Sequence, residues 1–172
     1  MSKNLVIYFS HTGQNYFGGS IRQIDKGNTE VVAEQIADAV KADLFQVETV
    51  REYANEYYAC CDEAKEELNT NARPKLKKEL SSIEQYDNIF VGYPIWWGTM
   101  PMAMFTQLEK LNFQGKNVAP FCTHEGSGLG GSVRDVKKCC VGATVQDGLA
   151  IQGSSVRNME SKAIDWAKKS LR

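Results

Sequence analysis

The 172-residue chain lacks the features that mark several large classes of protein. It has only four prolines and two histidines, and its acidic and basic residues nearly cancel, for a net charge of −1. This balance argues against a nucleic-acid-binding surface, so we expect no nucleic-acid partner. No apolar run approaches the length of a membrane-spanning helix. The N-terminus leads within a few residues into an apolar segment, which leaves no room for a signal peptide, so we expect a cytoplasmic protein with no membrane partner.

The five cysteines do not form a C-x-x-C motif. They are Cys60, Cys61, Cys122, Cys139 and Cys140. An odd number without a signal peptide argues against a disulfide framework. The two histidines show no ligand spacing with these thiols, so we expect no metal site. Most of the cysteines are interpreted as small buried apolar residues.

Apolar runs and helical periodicities alternate along the chain. Strands are predicted at residues 5–9, 44–50, 89–93, 118–123 and 143–151, the last interrupted by Asp147-Gly148. The first helix is predicted to begin at residue 28 or 29, with Asn28 or Thr29 as its cap. Further helices are predicted over residues 57–68, 102–110, 132–138 and 156–170, and Ser155 can cap the last of them. Strands that alternate with helices indicate parallel βαβ units. The sequence therefore predicts one domain over residues 1–172, an α/β fold with a parallel sheet and helices on both faces.

The loop after the first strand suits an anion. Ser10 and Thr12 supply hydroxyl groups, Gly13 allows close approach of the backbone, and Asn28 and Thr29 lie at a helix start. Neither the Gly-Lys-Ser/Thr of a P-loop nor G-x-G-x-x-G occurs here. The sequence favours a terminal phosphate held by neutral donors, and the alternative is an ordinary capped helix after a polar turn.

The loops after the third and fourth strands suit a flat ligand, because all these loops meet at the carboxyl edge of the sheet. Residues 93–101 place Trp96 and Trp97 between two prolines, where the indoles can stack on an aromatic ring or plug the core. Residues 122–131 are rich in glycine, which lets the backbone approach a ring edge or forms a flexible surface loop. His124 and Glu125 are candidates for an acid and a base, or ordinary polar loop residues.

These motifs together resemble the flavodoxin family over nearly the whole chain. The family string Ser/Thr-x-Thr-Gly-Asn-Thr is matched by residues 10–13 and completed by residues 28–29, as though residues 14–27 were inserted into it. Trp97-Gly98 is similar to the Trp-Gly of the second flavin loop, and residues 146–153 resemble the stretch before the last helix. The string Tyr-Pro-Ile-Trp-Trp-Gly further resembles a bacterial flavodoxin-like subgroup.

The resemblance implies a flavodoxin-like three-layer sandwich with five parallel strands in the order 2-1-3-4-5, and noncovalently bound FMN. The implied cofactor-binding residues are Ser10, His11, Thr12, Gly13, Asn28, Thr29, Pro94, Ile95, Trp96, Trp97, Gly98, Thr123, His124, Glu125, Gly126, Gly128, Leu129 and Gly130. No residue is assigned a catalytic role. We also expect residues 14–27 to be dispensable for folding and for cofactor binding.

The function that this resemblance implies is low-potential, one-electron transfer between protein redox partners, by a monomer or weak homodimer. One alternative is an FMN-dependent NAD(P)H reductase of quinones or nitro compounds. A second alternative is a flavodoxin-fold module that binds partners without a cofactor.

Overall fold

The computed structural model describes residues 2–172, in which helices separate the predicted strands of the main sheet. The strands are β1 (Asn4–Tyr8), β2 (Gly13–Phe17), β3 (Ser20–Ile24), β4 (Asp43–Gln46), β5 (Asn88–Pro94), β6 (Asn117–His124), β7 (Thr144–Val145) and β8 (Leu149–Gln152). The helices are α1 (Asn28–Val40), α2 (Tyr57–Asn69), α3 (Met102–Leu108), α4 (Ser132–Cys139) and α5 (Glu160–Lys169), with a 3-10 turn at Gly153–Ser155. No helix in this described part of the chain is long and apolar enough to span a membrane.

The main sheet is parallel and has the order β4-β1-β5-β6, with β7 and β8 both paired to the far side of β6. Counting β7 and β8 as one interrupted strand gives the predicted order 2-1-3-4-5, so the fold prediction is confirmed. The interruption falls between Val145 and Leu149, around the predicted break at Asp147-Gly148.

Alternate side chains of the strands build two separate apolar layers, one on each face of the sheet. On β1, Leu5 and Ile7 join the layer under α3 and α4, whereas Val6 and Tyr8 join the layer under α1 and α5. A strand that is apolar on both faces must be covered on both, which explains the continuous apolar run in the sequence. The result is a three-layer sandwich whose carboxyl strand ends point toward one edge.

Two predicted boundaries are wrong by four residues each. The second strand ends at Gln46 rather than at residue 50, because the chain beyond it pairs with another segment: Thr49 bridges to Leu76 and the Val50 N–H donates to the Lys75 carbonyl at 2.8 Å. The last helix begins at Glu160 rather than at residue 156. Ser155 is the last residue of the preceding 3-10 turn and does not cap this helix.

Residues 14–27 form an antiparallel hairpin, β2–β3, that is separate from the main sheet. Its turn is Gly18-Gly19, with φ of 66° and 90°. Positive φ at both central residues is the backbone of a two-residue type I′ turn, which glycine adopts without a Cβ penalty. The segment is therefore an ordered ribbon and not a plain loop.

A network of buried side-chain amides closes the opposite, amino edge of the sheet. Asn117 donates through its amide to Asn88 Oδ1 at 2.7 Å and to the Ser170 carbonyl at 2.6 Å, and it accepts from Gln146 at 2.6 Å. Asn88 in turn donates to Asn4 Oδ1 at 3.0 Å. These bonds tie three strands to the end of α5 without an apolar contact.

Asn117→Ala is expected to lower the free energy of unfolding by about 2 kcal/mol, because the Ser170 carbonyl and the Gln146 side-chain amide then lose their hydrogen-bond partner. Urea unfolding followed by circular dichroism measures the loss. Ligand binding at the far edge of the sheet should not change, since additivity holds for distant sites. An unchanged unfolding midpoint would contradict the assigned role of the network.

Candidate ligand-binding site

A cavity of about 490 Å³ lies at the carboxyl edge of the sheet, where the loops after β1, β5 and β6 meet. The candidate residues that line it are His11, Asn28, Pro94, Ile95, Trp96, Trp97, Thr123, His124 and Glu125. Among the described residues, the lining does not include the other candidates, namely Ser10, Thr12, Gly13, Thr29, Gly98, Gly126, Gly128, Leu129 and Gly130. The three predicted loops thus converge, and about half of the candidate side chains face the shared space.

The start of α1 is packed tightly against the loop after β1. Gly27 is the N-cap residue, and the backbone N–H of Glu30 donates to Ser10 Oγ at 3.0 Å. The predicted caps, Asn28 and Thr29, are instead the first two residues of the helix. A Cβ on Gly27 would collide with Ser10 Oγ and lie 3.0 Å from the backbone N of His11. Only glycine therefore allows the Ser10 hydroxyl to reach the helix start.

This arrangement leaves several donors available at the start of α1. Because Ser10 Oγ accepts from Glu30, its own hydrogen is available to donate. The N–H groups of Asn28 and Thr29 open the helix and have no carbonyl one turn earlier to bond. The helix dipole adds partial positive charge at this end. The chemistry of the donor set is that of an anion cradle made from neutral groups.

Thr29 acts differently from the prediction. Its side chain is buried, and its hydroxyl lies 2.8 Å from the hydroxyl of Thr123. This bond ties the start of α1 to the end of β6. The side chain of Thr29 therefore holds two walls of the site together, while its backbone N–H remains part of the cradle.

Trp96 forms a rigid aromatic wall. Its ring makes edge-to-face contacts with Phe9, His11 and Tyr53, at centroid distances of 5.1, 5.7 and 4.9 Å. Burial lowers the pKa of the His11 imidazole below its usual value, against the opposing influence of the Ala54 carbonyl and Glu63. His11 is therefore neutral at pH 7, and this wall carries no cation.

Trp97 and Gly98 form a tight turn that presents one indole to solvent. The Trp96 N–H donates to the Thr99 carbonyl at 2.8 Å, and φ is 55° at Trp97 and 83° at Gly98. Trp97 is 51% exposed, although its indole N–H donates to the Cys61 carbonyl at 3.0 Å. The bond fixes the direction of an otherwise exposed ring.

The glycines of the loop after β6 lie outside the described cavity lining, and two of them support the second loop. The Gly98 carbonyl accepts from the Gly131 N–H at 2.8 Å, and a Cβ on Gly130 would collide with that carbonyl. Thr99 donates to Asp135 Oδ2 at 2.6 Å, which adds a second tie to α4. Glycine at position 130 is thus required for one loop to lie against the other.

His124 and Glu125 lie at the cavity edge without the contact expected of an acid–base pair. His124 Nδ1 accepts from the Gly126 N–H at 2.9 Å, which closes a local turn. Burial lowers the pKa of His124, with Glu125 acting in the opposite direction. The two residues remain candidates for ligand contact.

Half of the cavity wall consists of residues that were not predicted from the sequence. The hairpin β2–β3 and the first turns of α2 contribute Gln14, Asn15, Tyr16, Tyr57, Tyr58, Cys60, Cys61, Asp62 and Ala64, and the 3-10 turn after β8 contributes Gly153. The two-glycine turn between residues of high strand propensity was a usable signal for the hairpin. No comparable signal in the sequence points to α2, whose place at the site depends on the hairpin beside it.

The cavity carries little charge. Cys60 Sγ lies 3.5 Å from His11 Nε2, and burial, with Cys61 and two nearby glutamates, raises the pKa of this thiol to about 12. Asp62 and Glu125 are the acidic residues of the lining, and none of its described residues is Lys or Arg. The described part of the chain also holds no group of three or more His, Cys, Asp or Glu residues suited to a metal ion.

The fold and the cavity define a class of protein: a doubly wound α/β domain whose carboxyl-edge cleft combines an anion cradle with aromatic walls. A family model described as Flavodoxin matches residues 3–169. The chain belongs to the flavodoxin family.

Solved structures with the same fold extend over nearly the whole chain. A proposed flavoprotein from Bacteroides uniformis is 25% identical, with a TM-score of 0.75 over 97% of this chain and 98% of that one. A proposed flavoprotein from Bacteroides eggerthii is 28% identical, with a TM-score of 0.70 over 95% of this chain and 98% of that one. A Lactobacillus acidophilus flavoprotein, solved in complex with FMN, is 23% identical, with a TM-score of 0.64 over 92% and 98%. A comparison with curated protein sequences finds no match.

Proposed function

We propose that this protein binds FMN noncovalently and acts as a low-potential, one-electron carrier between protein partners. The observation that carries the proposal is that the start of α1, through Asn28, and the Trp96–Trp97 loop line one cavity. Membership of the flavodoxin family and the fold shared with an FMN-bound flavoprotein support it. The finer assignment to a Tyr-Pro-Ile-Trp-Trp-Gly subgroup, the cytoplasmic location and the monomer or weak homodimer rest on the sequence alone.

The residues present fit a phosphate monoester at the start of α1. Ser10 and the first N–H groups of the helix offer donors, and the close approach at Gly27 leaves no space for a side chain in the cradle. Helix starts bind phosphate through such N–H groups and the helix dipole. Ser10, Thr12, Asn28 and the backbone of Thr29 would hold the phosphate, and Pro94 to Trp97 would face the ring.

The charge of the cavity suits a low-potential carrier. Asp62 and Glu125 face the cavity, and none of its described lining residues is Lys or Arg. Negative charge beside a group that gains electrons also lowers its reduction potential. When bound, FMN supplies the redox chemistry, and the protein sets its access and potential.

Anaerobic titration of the FMN-loaded protein tests the proposed role. We expect dithionite to bleach the flavin absorbance fully, whereas stoichiometric NADH or NADPH leaves it unchanged over minutes. Rapid bleaching by either nucleotide would replace the carrier with the reductase. A protein that takes up no FMN at all would support the cofactor-free interaction module.

Trp97→Ala is expected to weaken FMN binding by about 1–3 kcal/mol and to restore much of the flavin fluorescence, because one aromatic stacking contact and its quenching are lost. Fluorescence titration of wild type and variant measures both effects. Trp97 is about half exposed, its indole bonds to Cys61, and the Lys65 ammonium lies 4.4 Å from its ring centroid, so the fold should tolerate the change.

Trp166→Phe is the matched control for this experiment. Trp166 packs against Phe90 and Phe121 under α5 and lies outside the described cavity lining. Its replacement should leave FMN affinity and quenching unchanged. If both properties survive Trp97→Ala as well, Trp97 does not contact the flavin.

A further inference from the structure

We propose that the hairpin β2–β3, together with the first turns of α2, forms the outer aromatic wall of the compartment that binds the flavin ring, with Tyr16 and Tyr57 in contact with it. The inference rests on the proposed FMN binding. It replaces our expectation from the sequence that residues 14–27 are dispensable for the cofactor.

The base of the hairpin is fastened to the chain just before α2. The Gln14 N–H donates to the Asn55 carbonyl at 3.0 Å, and Gln14 Oε1 accepts from the Tyr57 N–H at 3.0 Å. The side-chain amides of Gln23 and Asn55 exchange two hydrogen bonds of 3.1 and 3.2 Å. Both strands of the ribbon are therefore held at this end, which orders the residues that face the cavity.

The tip of the hairpin lies on the other side of the cavity, beside the turn that follows β8. An ideal Cβ on Gly18 would lie 3.6 Å from Ser154 Cβ. Gly153, the neighbour of Ser154, lines the cavity together with Tyr16 and Tyr57. The ribbon thus spans the space between α2 and the end of β8 and covers one side of the cavity.

The inner surface of this wall is mainly aromatic, and Asp62 is its acidic residue. The rings of Tyr16 and Tyr57 meet edge to face at 5.0 Å, and those of Tyr57 and Tyr58 do so at 5.2 Å. Burial, together with the Cys61 thiol, raises the pKa of Tyr57, so its hydroxyl stays protonated at neutral pH. An uncharged planar ring is the ligand that such a wall fits, and aromatic pairs favour edge-to-face or offset stacking.

The cavity is large enough for one ligand that contacts both the Trp96–Trp97 loop and the tyrosines of the hairpin and α2. Its volume of about 490 Å³ is in the range of a pocket for a single ligand of drug or cofactor size. The phosphate cradle fixes one end of that ligand at α1. The ring, which extends from the cradle, then lies between the Trp96–Trp97 loop on one side and the tyrosines of the hairpin and α2 on the other.

Ring contacts and phosphate contacts can be separated by comparing FMN with riboflavin, which has the same ring and lacks the phosphate. Tyr16→Ala and Tyr57→Ala should each weaken the binding of both ligands by about tenfold, to the same extent for each ligand. Phe17→Ala is the matched control, since it removes an aromatic side chain from the same strand. Phe17 packs near Arg22, 5.6 Å from its ring, lies outside the described lining, and should change neither affinity more than about twofold.

Fluorescence titration of the four proteins with both ligands gives distinct outcomes. Equal loss of FMN and riboflavin affinity in the two tyrosine variants alone would support the aromatic wall. Wild-type affinities in both tyrosine variants, or an equal loss in Phe17→Ala, would overturn it while leaving FMN binding in place. A wild-type protein that binds neither ligand would overturn the proposed function, and the inference with it.

Discussion

Ser10→Asp is expected to weaken FMN binding by two to three orders of magnitude and to leave riboflavin binding nearly unchanged. The aspartate places a carboxylate beside the phosphate dianion, and at about 4 Å and an effective dielectric constant of about 20 one such charge pair repels by about 4 kcal/mol. The helix start should survive, because Asp can accept the bond that Glu30 now donates to Ser10 Oγ. Isothermal or fluorescence titration with the two ligands measures the difference.

Ser10→Asn isolates the charge. Asn is also a good acceptor at a helix start and is nearly the same size as Asp, but it is neutral. It should lose far less FMN affinity than Ser10→Asp. If both variants lose FMN affinity equally, the effect is one of shape; if Ser10→Asp binds FMN as well as wild type does, the phosphate is held elsewhere.

The phosphate loop shows what a sequence motif can and cannot predict. The split string at residues 10–13 and 28–29 correctly brought the first loop and the start of α1 together. It did not reveal which atoms face inward. The Thr29 hydroxyl bonds to Thr123 across the site, and this partner lies on a strand far away in sequence. Gly27, which was treated as part of the insertion, is the residue whose lack of a side chain makes the cradle possible.

The three-layer fold could be predicted because its signals are local: continuous apolar runs for buried strands and helical periodicity between them. The cavity wall could not, because it depends on tertiary contacts. Tyr57 belongs to a helix that follows β4, and at the site its backbone N–H bonds to Gln14 of the hairpin. The glycine-rich loop was assigned to the ligand on composition, but its glycines at 130 and 131 pack against Gly98.

Joining the hairpin tip to the turn after β8 by a disulfide between Gly18→Cys and Ser154→Cys is expected to slow the release of FMN by about two orders of magnitude, or about 2.7 kcal/mol of added barrier. The separation of 3.6 Å between the Cβ positions is within the range of disulfides. If the hairpin covers the ring, release requires the ribbon to move away from Ser154, and the crosslink prevents that motion. Cysteine at position 18 must adopt positive φ, which costs about 1–2 kcal/mol and should be tolerated in an exposed turn.

Stopped-flow fluorescence of the FMN released on dilution compares the disulfide and dithiol forms of the double variant. FMN binding to the cofactor-free disulfide form should slow together with FMN release. A thiol reductant that opens the disulfide should restore both rates. Each single variant, treated with the same oxidant, controls for reaction at the native thiols, of which Cys61 and Cys139 are the ones that are not fully buried. If the crosslinked protein, with its disulfide verified by mass, releases FMN as fast as the dithiol form does, the ligand leaves by another route and the hairpin does not cover it.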